Sequence, residues 1–480
     1  PERRPNIIYI LADDLGYNEL GCYGQKKIRT PNLDWMASEG MRFTQHYAGS
    51  PVCAPSRCTL LTGKHTGHAY IRDNDEMPER GDVWNDPSIE GQRPLPDGTH
   101  TIGTALKSAG YVTGAIGKWG LGGPEDTGHP NRQGFDHWYG YLCQREAHNY
   151  YPPHLWRNES KHELGGNPRF KAHQRFPEDA DPQDPAAYDR YSGMDYAPDL
   201  MLSEALDFIR THHTTPFFLY LAHTIPHLAL QVPEDSLEEY AGHFPEQPYL
   251  GDRGYLPHPT PRAAYAAMIT RMDRDIGRIL ALLQELGLEK DTLILFSSDN
   301  GPTYTGGADT TFFESAGSLR GLKGQLYDGG IRVPLLARWP GRIEAGAQSD
   351  HVSAFWDILP TLCEIAGSPV PGEIDGISFA PTLLGRPAEQ RRHDYLYWEF
   401  PGYGGQQAVR KGNWKAIRTG LRREDSDTSI QLYDLSEDTG ENRNRAAQHP
   451  ELVEEFRRMM HSARSESEHF PFPEIQTHIF

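Results

Sequence analysis

The stretch NIIYILADDLG at residues 6–16 decides the fold, because it joins a short apolar run to two adjacent carboxylates. A continuous apolar run, without the alternation of a half-buried strand, indicates a strand that is covered on both faces. Asp13 and Asp14 then lie at the carboxyl end of this strand. We therefore expect a buried strand that opens into a polar loop.

The same pattern recurs three times, in YVTGAIGK (residues 111–118), PFFLYLA (216–222) and TLILFS (292–297). Apolar residues spaced three or four apart predict helices between these runs, over residues 101–109, 197–211 and 263–286. Strands that alternate with helices favour an α/β fold with a mostly parallel sheet and helices on both faces. In such sheets ligands bind at the carboxyl ends of the strands, which is where the polar residues lie.

Two regions depart from this pattern. Residues 123–191 are rich in Pro, His, Asn and aromatic residues with little periodicity, which predicts long loops over the edge of the sheet. We expect a large α/β domain at residues 1–386 and a smaller α+β subdomain at residues 387–480. The subdomain is predicted from strand-like stretches at residues 393–399, 407–417 and 431–435 and a helical pattern at 451–463.

Composition argues against two classes of partner. The 480 residues include 47 basic and 66 acidic side chains, and this net charge of −19 disfavours a nucleic acid bound over a broad basic surface. No apolar stretch approaches the ~18 residues that a membrane-spanning helix needs. A small anionic substrate is compatible, because a few cations in a cleft reverse the local field. The five cysteines are irregularly spaced and indicate neither a disulfide framework nor a zinc site.

The most specific segment is PVCAPSRCTLLTG at residues 51–63. It resembles the signature of the type I sulfatases, in which a Cys or Ser is followed by x-Pro-x-Arg and a turn such as Thr-Gly. The resemblance covers nearly the whole chain, as far as LYDL at residues 432–435, and implies an alkaline-phosphatase-like fold. In that family the cysteine, here Cys53, is oxidised to formylglycine by a maturation enzyme of the host.

Formylglycine removes a difficulty that an ordinary nucleophile would face. A serine or cysteine would keep the sulfate and need a second hydrolysis. One hydroxyl of an aldehyde hydrate attacks instead, and the other expels sulfate by re-forming the aldehyde. Arg57 lies four residues after Cys53, so the two side chains share a face if Pro55 begins a helix. The amino end of that helix would favour an anion.

Oxygen-bearing side chains at two strand tips predict a metal site. Asp13 and Asp14 end one apolar run, and Asp299 and Asn300 follow another, within SSDNG. Carboxylate and amide oxygens suit calcium or magnesium. By resemblance, these four residues bind the ion together with residue 53, and calcium is expected rather than magnesium.

Three further positions match sulfate-handling residues of the family. Lys118 (in GKWGLG) and Lys323 (in RGLKG) match its two sulfate-binding lysines. His227 matches the histidine beside the leaving-group oxygen, where a proton donor assists departure of a basic alkoxide. The resemblance also implies that Arg57 and both lysines stabilise negative charge and that Asp299 activates the hydrate.

One position departs from the family pattern. Many members carry a histidine two residues after the first lysine, where this chain has Gly120. That histidine is assigned to sulfate release, so either another group such as His148 replaces it or this branch releases sulfate differently. The departure is the feature that would favour a non-catalytic glycan-binding protein over an enzyme.

The sequence around the site looks like that of bacterial carbohydrate sulfatases acting on 4-O-sulfated galactose or N-acetylgalactosamine. The residues predicted to line the sugar pocket are His65, Arg72, Asp73, Asn74 and His148. A phosphodiesterase or phosphonate monoester hydrolase of the same superfamily is the rival enzyme. A periplasmic or secreted location, with a signal peptide removed, is expected.

Overall fold

The fold is built on two sheets in the computed structural model, which describes residues 4–75 and 90–472. The larger sheet contains β1 (Asn6–Ala12), β2 (Met41–Tyr47), β3 (Val112–Lys118), β4 (His137–Tyr141), β5 (His154–Arg157), β6 (Ser160–Glu163), β7 (Phe217–Ala222), β8 (Thr292–Ser298), β9 (Arg332–Arg338), β10 (Ala347–Ser349) and β11 (Ser353–Ala354). The smaller sheet contains β12 (Leu396–Phe400), β13 (Gln406–Lys411), β14 (Trp414–Arg418) and β15 (Gln431–Asp434).

The α-helices of the described residues cover both faces of the larger sheet and one side of the smaller sheet. They are α1 (Pro31–Ser38), α2 (Cys53–Thr62), α3 (Ile102–Ser108), α4 (Ala197–His212), α5 (Glu234–Leu237), α6 (Pro261–Glu285), α7 (Asp328–Ile331), α8 (Ile358–Ala366), α9 (Ala380–Leu383) and α10 (Pro450–Ser462). None of them is both long and apolar enough to cross a membrane.

Parallel pairing brings four strand tips to one edge of the larger sheet. The strand order is β10-β2-β9-β8-β1-β7-β3-β4-β5-β6, with β11 beside β2. The strands β8, β1, β7, β3 and β4 run parallel, whereas β9 is antiparallel to β8 and β5 is antiparallel to β4. The expected mixed, mostly parallel sheet is confirmed, and β8, β1, β7 and β3 end side by side.

The central strand β1 is covered on both faces, as its continuous apolar sequence predicts. All of its residues are buried. Ile8 and Ile10 belong to the core formed with α4 and α6, while Ile7 and Tyr9 belong to the core formed with α2, α3 and α8. Because successive side chains of a strand point to opposite faces, a strand that is apolar at every position requires a helical layer on each side.

Helices predicted from apolar spacing are present with slightly different ends. The predictions at residues 101–109, 197–211, 263–286 and 451–463 correspond to α3, α4, α6 and α10. Both α6 and α10 begin at a proline. Proline is tolerated there because the first N–H groups of a helix have no partner within the helix.

Two expectations about irregular regions need correction. Residues 123–191 do not consist only of loops, because β4, β5 and β6 extend the sheet beyond β3. These strands are short and lack clear alternation, so periodicity does not reveal them. The stretch 407–417 is a hairpin rather than one strand, since β13 and β14 pair around Gly412 and Asn413. Gly412 has φ +57°, as a tight hairpin turn requires.

The smaller sheet is antiparallel and packs against the rest of the chain through a buried charge cluster. Lys415 on β14 donates a hydrogen bond to Asp328 at 2.8 Å, and its Nζ also lies 2.8 Å from Glu441. All three side chains are fully buried. Burial would raise the pKa of Asp328, but Lys415 and Arg332 lower it to about 2. Burial raises the pKa of Glu441 to about 7, although Lys415 opposes this. The pair of Asp328 and Lys415 therefore stays ionised and joins the smaller sheet to α7.

Apolar contacts also join the two parts of the chain. The rings of Trp356, before the smaller sheet, and Trp398, within it, lie 5.6 Å apart in a shared core. The proposed domain boundary after residue 386 stays a prediction.

We predict that Lys415→Met destabilises the fold strongly. Removing the ammonium group takes the lysine partner from the buried Glu441 and leaves Asp328 with the more distant Arg332, 3.5 Å away. Breaking a buried pair of this kind costs about 3–5 kcal/mol. Lys411→Met is the matched control, because Lys411 is half-exposed and its pair with Glu455 at the surface contributes about 0–1 kcal/mol. Chemical denaturation of both variants gives the free energies of unfolding, and equal losses would contradict this account of the cluster.

Candidate active site

Polar side chains from four neighbouring strands converge at one edge of the larger sheet, and all of them are buried. They are Asp13 and Asp14 after β1, Lys118 at the end of β3, His227 after β7, and Asp299 and Asn300 after β8. Asp14 has φ +64°, a left-handed conformation that turns the chain directly after β1. The structure thus brings together the residues that the strand pattern marks.

Helix α2 brings Cys53 to the same edge. The helix begins at Cys53, so Pro55 lies in its first turn rather than opening it. The side chain of Asn74 accepts a hydrogen bond from the N–H of Ala54 at 3.0 Å, which satisfies one of the free donors at the amino end. One turn further on, Arg57 lies on the same face as Cys53 and reaches the tip of β8.

Charged groups surround the sulfur of Cys53. Sγ lies 3.5 Å from Asp13 Oδ1 and 3.9 Å from Asp14 Oδ1. The Nζ atoms of Lys118 and Lys323 lie 3.7 Å and 3.5 Å from Sγ. Burial raises the pKa of the Cys53 thiol to about 12, although both lysines act to lower it. The unmodified thiol is therefore neutral at physiological pH, where reaction would require the thiolate.

Each carboxylate of the cluster has a cationic partner. The pairs are Asp13 with Lys118 at 2.6 Å, Asp14 with Lys323 at 2.8 Å, and Asp299 with Arg57 at 3.1 Å. Burial would raise the pKa of Asp13, but Lys118 and Arg57 hold it below its ordinary value. Burial and the neighbouring Asp13 raise the pKa of Asp299 to about 8, although Arg57 opposes this. The carboxylates repel one another, and a divalent cation would relieve that repulsion.

The oxygen atoms at the strand tips fit a hard divalent cation. Asn300 Oδ1 is buried and has no hydrogen-bond partner among the described residues, while its Nδ2 donates to Asp14 at 2.8 Å. An unsatisfied buried amide oxygen is uncommon and marks a position for an ion or an ordered water. Ligand atoms of Asp13, Asp14, Cys53 and His227 lie within 4.8 Å of one another. Carboxylate and amide oxygens suit calcium or magnesium.

His227 presents its Nε2 atom to the cluster. Its Nδ1 donates to the carbonyl of the next residue at 2.7 Å, and Nε2 lies 3.7 Å from Asp14 Oδ2. Burial, together with Lys118 and Lys323, holds the pKa of His227 well below its ordinary value. His148 stacks on His227 with ring centroids 4.8 Å apart. Both histidines therefore line the same part of the site.

Gln144 and Arg57 occupy the space beside Gly120. A Cβ atom built on Gly120 would lie 2.8 Å from Gln144 Oε1 and 3.0 Å from Arg57 Nη2. Gly120 has φ +76°, which favours glycine. Gln144 Oε1 accepts a hydrogen bond from Arg57 Nη2 at 2.8 Å. The side chains nearest to Gly120 are therefore Gln144 and Arg57, whereas His148, which was one possible replacement for the family's histidine, stacks on His227.

The residues expected to bind sugar lie in two places. Asn74 and His148 line a cavity of about 270 Å³ that opens over Cys53. Asp73 is half-buried beside Asn74 and accepts its N–H at 2.7 Å. Burial raises the pKa of Asp73 to about 7. The structure thus keeps Asn74 and His148 as candidates for substrate contact.

His65 and Arg72 lie outside that cavity. Arg72 is buried and donates to Glu399 at 2.8 Å, so it joins the region after α2 to the smaller sheet. His65 is buried and stacks on His68, with ring centroids 4.5 Å apart. The expectation that these two residues line the sugar pocket does not fit their positions.

Several residues of the cavity were not predicted from the sequence. They are Gln144, Arg145, Tyr255, Thr303, Tyr304, Thr305 and Tyr403. All of them lie in connecting segments between strands and helices. Such segments carry no periodic signal. Gly120, at the place of the family's histidine, is the sequence feature that indicates a different side chain beside Arg57.

Comparison with known proteins agrees with this geometry. A family model described as Sulfatase matches residues 5–368, and a model for the C-terminal part of N-sulphoglucosamine sulphohydrolase matches residues 322–466. Arylsulfatase A of Homo sapiens is 33% identical over 475 residues, which cover 92% of this chain and 83% of that protein. The N-acetylgalactosamine-6-sulfatase of Rattus norvegicus is 33% identical over 396 residues, which cover 79% of this chain and 66% of that protein.

A solved structure shares the whole architecture. The crystal structure of Ps i-CgsB superposes with a TM-score of 0.76 at 26% identity, covering 98% of this chain and 96% of that one. The same protein has been solved in complex with a neocarrahexaose. Parallel strand tips that gather carboxylates, cations and a buried cysteine define a hydrolytic site for an anionic ester. The chain belongs to the sulfatase family, and it is a sulfuric ester hydrolase.

We predict that Gly120→Ala lowers activity through Gln144. The new methyl group would displace Gln144 from Arg57, and a misplacement of this kind lowers kcat/KM about ten- to a hundredfold. Gly98→Ala is the matched control, because Gly98 has φ +70° and no atom within 4 Å of its would-be Cβ. Both variants bear a left-handed alanine, which costs about 1–2 kcal/mol.

The measurement is hydrolysis of nitrophenyl sulfate, with thermal unfolding recorded in parallel. Gly120→Ala should unfold at the lower temperature, because overpacking its buried site costs about 1–3 kcal/mol beyond the left-handed alanine that both variants share. Both variants should be folded at the assay temperature, and Gly120→Ala alone should lose kcat/KM. Equal kcat/KM in both variants would show that the contact beside Gly120 does not matter to the reaction.

Proposed function

We propose that the protein hydrolyses sulfate esters of carbohydrates, with residue 53 as the nucleophile after conversion to formylglycine. The observation that carries this proposal is the group of two carboxylates and two lysines within 3.9 Å of the Cys53 sulfur. A hydrated formylglycine at this position would supply one hydroxyl to attack sulfur and a second to expel sulfate.

The lysines bind and orient the sulfate group. Lys118 and Lys323 both lie beside residue 53, so an anion placed there comes within reach of both ammonium groups. Charge that develops on sulfate oxygens is then met by cations that are already in place. Because the site is buried, little water competes for these contacts.

Arg57 acts as a positioning residue in this proposal. Its guanidinium donates to Asp299 at 3.1 Å, to Gln144 at 2.8 Å and to the carbonyl of Trp119 at 3.0 Å. These contacts hold Asp299 at the tip of β8. The proposed role of Asp299 is to accept a proton from the hydrate, which requires the raised pKa of its carboxyl group to be lowered, as a bound divalent cation would do.

A divalent cation would be held by the oxygen atoms of Asp13, Asp14, Asp299 and Asn300, with residue 53 as a further ligand. When bound, it would neutralise charge on a sulfate oxygen and lower the pKa of the hydrate. We propose calcium rather than magnesium because of the family resemblance. Loss of activity in a chelator, restored better by calcium than by magnesium, would support this choice.

His227 is the proposed proton donor to the leaving oxygen. Its Nδ1 proton is engaged by a backbone carbonyl, so Nε2 is the atom that faces the cavity. His148 stacks on the ring and helps to fix its orientation. Because Nδ1 keeps its proton, donation from Nε2 requires the imidazolium form of His227, and the negative charge of a bound sulfate ester would raise the pKa of the ring toward that form. The Nε2 proton would then pass to the alkoxide oxygen as the sulfur–oxygen bond breaks, which leaves the neutral ring.

Carbohydrate substrates are supported by the names of two similar proteins. The rat relative is an N-acetylgalactosamine-6-sulfatase, and the similar structure was solved with a neocarrahexaose. We propose 4-O-sulfated galactose or N-acetylgalactosamine as the substrate. A panel of these sugars with sulfate at position 4 or 6 tests the choice, and faster release from the 6-sulfates would overturn it.

The rival activity is that of a phosphodiesterase or phosphonate monoester hydrolase. It would use the same nucleophile and metal, so geometry alone does not separate the two reactions. Turnover of nitrophenyl sulfate is therefore compared with that of the corresponding phosphodiester and phosphonate esters. A higher kcat/KM for either phosphorus ester would favour the rival.

The requirement for a maturation enzyme and the periplasmic or secreted location stay predictions. Both follow from the proposed modification and substrate, and neither is needed for the geometry described above.

We predict that active preparations carry formylglycine at position 53. Exchange of the thiol for an aldehyde lowers the mass by about 18 units. Mass spectrometry of the tryptic peptide that spans residues 43–57 measures this difference. Activity should scale with the converted fraction across preparations, and Cys53→Ala should be inactive. Full activity in a preparation that carries only unmodified cysteine would refute the mechanism.

We predict that His227→Ala affects sugar sulfates more than nitrophenyl sulfate. A sugar alkoxide needs a proton to depart, whereas nitrophenolate is a good leaving group on its own. Loss of the acid should reduce kcat for the best sugar sulfate about a hundredfold or more, with a much smaller loss for nitrophenyl sulfate. Equal losses on both substrates would show that His227 has another role.

A further inference from the structure

A second cavity adjoins the one over Cys53. Its volume is about 700 Å³, and it shares Tyr304 and Tyr403 with the smaller cavity. Lys323 lines the first cavity, and its neighbour Gly324 lines the second. Cavities of about 300–1,000 Å³ are the size of small-molecule sites. The two are therefore adjacent compartments, and a ligand larger than one sugar could extend from one into the other.

Two exposed aromatic rings lie where the cavities meet. Tyr403 is 55% exposed and Tyr304 is 43% exposed. The ring of Tyr403 packs so closely on Gly324 that a Cβ atom there would overlap it, and the ring of Phe400 lies 5.5 Å away in an edge-on contact. A held, exposed aromatic ring suits the apolar face of a pyranose, because stacking buries apolar surface without ordering a flexible side chain.

The second cavity is lined by two arginines, and no described carboxylate lines it. Arg320 lies over the ring of Tyr327, 4.0 Å from its centroid, and donates to a backbone carbonyl at 2.8 Å. Arg423 donates to the carbonyl of Tyr403 at 3.3 Å. The other described residues that line the cavity are uncharged. In a chain with a net charge of −19, a cavity whose charged lining residues are both cations is a local reversal of the field. The ligand that fits such a lining is an anion.

We propose that this cavity is a second sugar subsite that selects for an anionic neighbour of the sugar being desulfated. Tyr403 stacks on the saccharide at the junction, while Arg320 and Arg423 bind a sulfate ester or a uronate carboxylate on the adjoining residue. Guanidinium groups match both anions, because their paired N–H donors meet two oxygens at once. The inference rests on the proposed carbohydrate sulfatase function.

The smaller sheet supplies this specificity. Tyr403 lies between β12 and β13, and Arg423 lies between β14 and β15. Both loops therefore extend from the smaller sheet toward the edge of the larger sheet at which α2 places Cys53. Tyr403 packs on Gly324, next to Lys323, and so is close to the reacting groups. Arg423 donates to the carbonyl of Tyr403 and does not line the cavity over Cys53, so its side chain is the part of the subsite to alter when the chemistry is to be left unchanged.

The test compares three disaccharides that carry the same scissile sulfate, with nitrophenyl sulfate as a substrate that has no second sugar. The adjoining sugar is neutral in the first disaccharide, sulfated in the second and a uronic acid in the third. Arg423→Ala should lower kcat/KM about tenfold or more for the two doubly anionic substrates and leave the other two within about twofold. The ratio of wild-type kcat/KM for the sulfated disaccharide to that for the uronate disaccharide shows which anion the cavity prefers.

Arg422→Ala is the matched control. Arg422 is the exposed neighbour of Arg423, but it donates to the carbonyl of Pro401 and lines neither cavity. It should leave kcat/KM for every substrate unchanged. Arg320→Lys serves as a second variant, with thermal unfolding measured alongside, and it should weaken discrimination in the same direction as Arg423→Ala.

Three outcomes would overturn the subsite. They are equal effects of Arg423→Ala on all four substrates, equal effects of Arg422→Ala and Arg423→Ala, and a wild-type enzyme that hydrolyses the neutral disaccharide as fast as the anionic ones. A wild-type enzyme that releases sulfate from no saccharide would instead refute the proposed function. The two failures are therefore distinguishable.

Discussion

Charge balance within a buried space is the constraint on which the rest of this structure depends. Three carboxylates and three cations meet at the tips of β8, β1 and β3, on α2 and in the segment between β8 and α7, and the pairs are almost fully withdrawn from solvent. Taking one such charge out of water unpaired costs several kcal/mol, so each side chain requires its partner to be delivered by another element. Parallel strands meet this requirement because neighbouring strands end side by side.

The same burial supports the proposal that residue 53 acts as formylglycine rather than as an unmodified cysteine. The lysines that would stabilise a thiolate are already paired with carboxylates, and burial keeps the Cys53 thiol protonated. An aldehyde hydrate does not depend on a thiolate and can be held by the same neighbours. Gly120 has no side chain to occupy the space beside Arg57, and Gln144 lies there against Arg57. Gln144 therefore helps to orient Arg57, and the carboxylates and lysines surround residue 53.

Much of this arrangement could be predicted from the sequence, for identifiable physical reasons. Residues 7–12 are apolar at every position because helices cover both faces of the sheet, so one pattern predicted both the strand and the type of sheet. Residues directly after such strands, including Asp13 and Asp299, belong to the site because parallel strands end together. The positions of Arg72, Gln144 and Tyr403 depend on contacts between segments far apart in the chain. No local pattern records those contacts, and Arg72 accordingly proved to be a buried partner of Glu399.

The most direct test of the central claim is a crystal structure of the Cys53→Ala protein with calcium and a sulfated saccharide. The account predicts anomalous signal from one ion among the oxygens of Asp13, Asp14, Asp299 and Asn300. It also predicts the ester sulfur beside residue 53, within reach of both lysines. A sulfate group bound elsewhere, with no ion among those four side chains, would contradict the claim that the strand tips form one site for a cation and a sulfate ester.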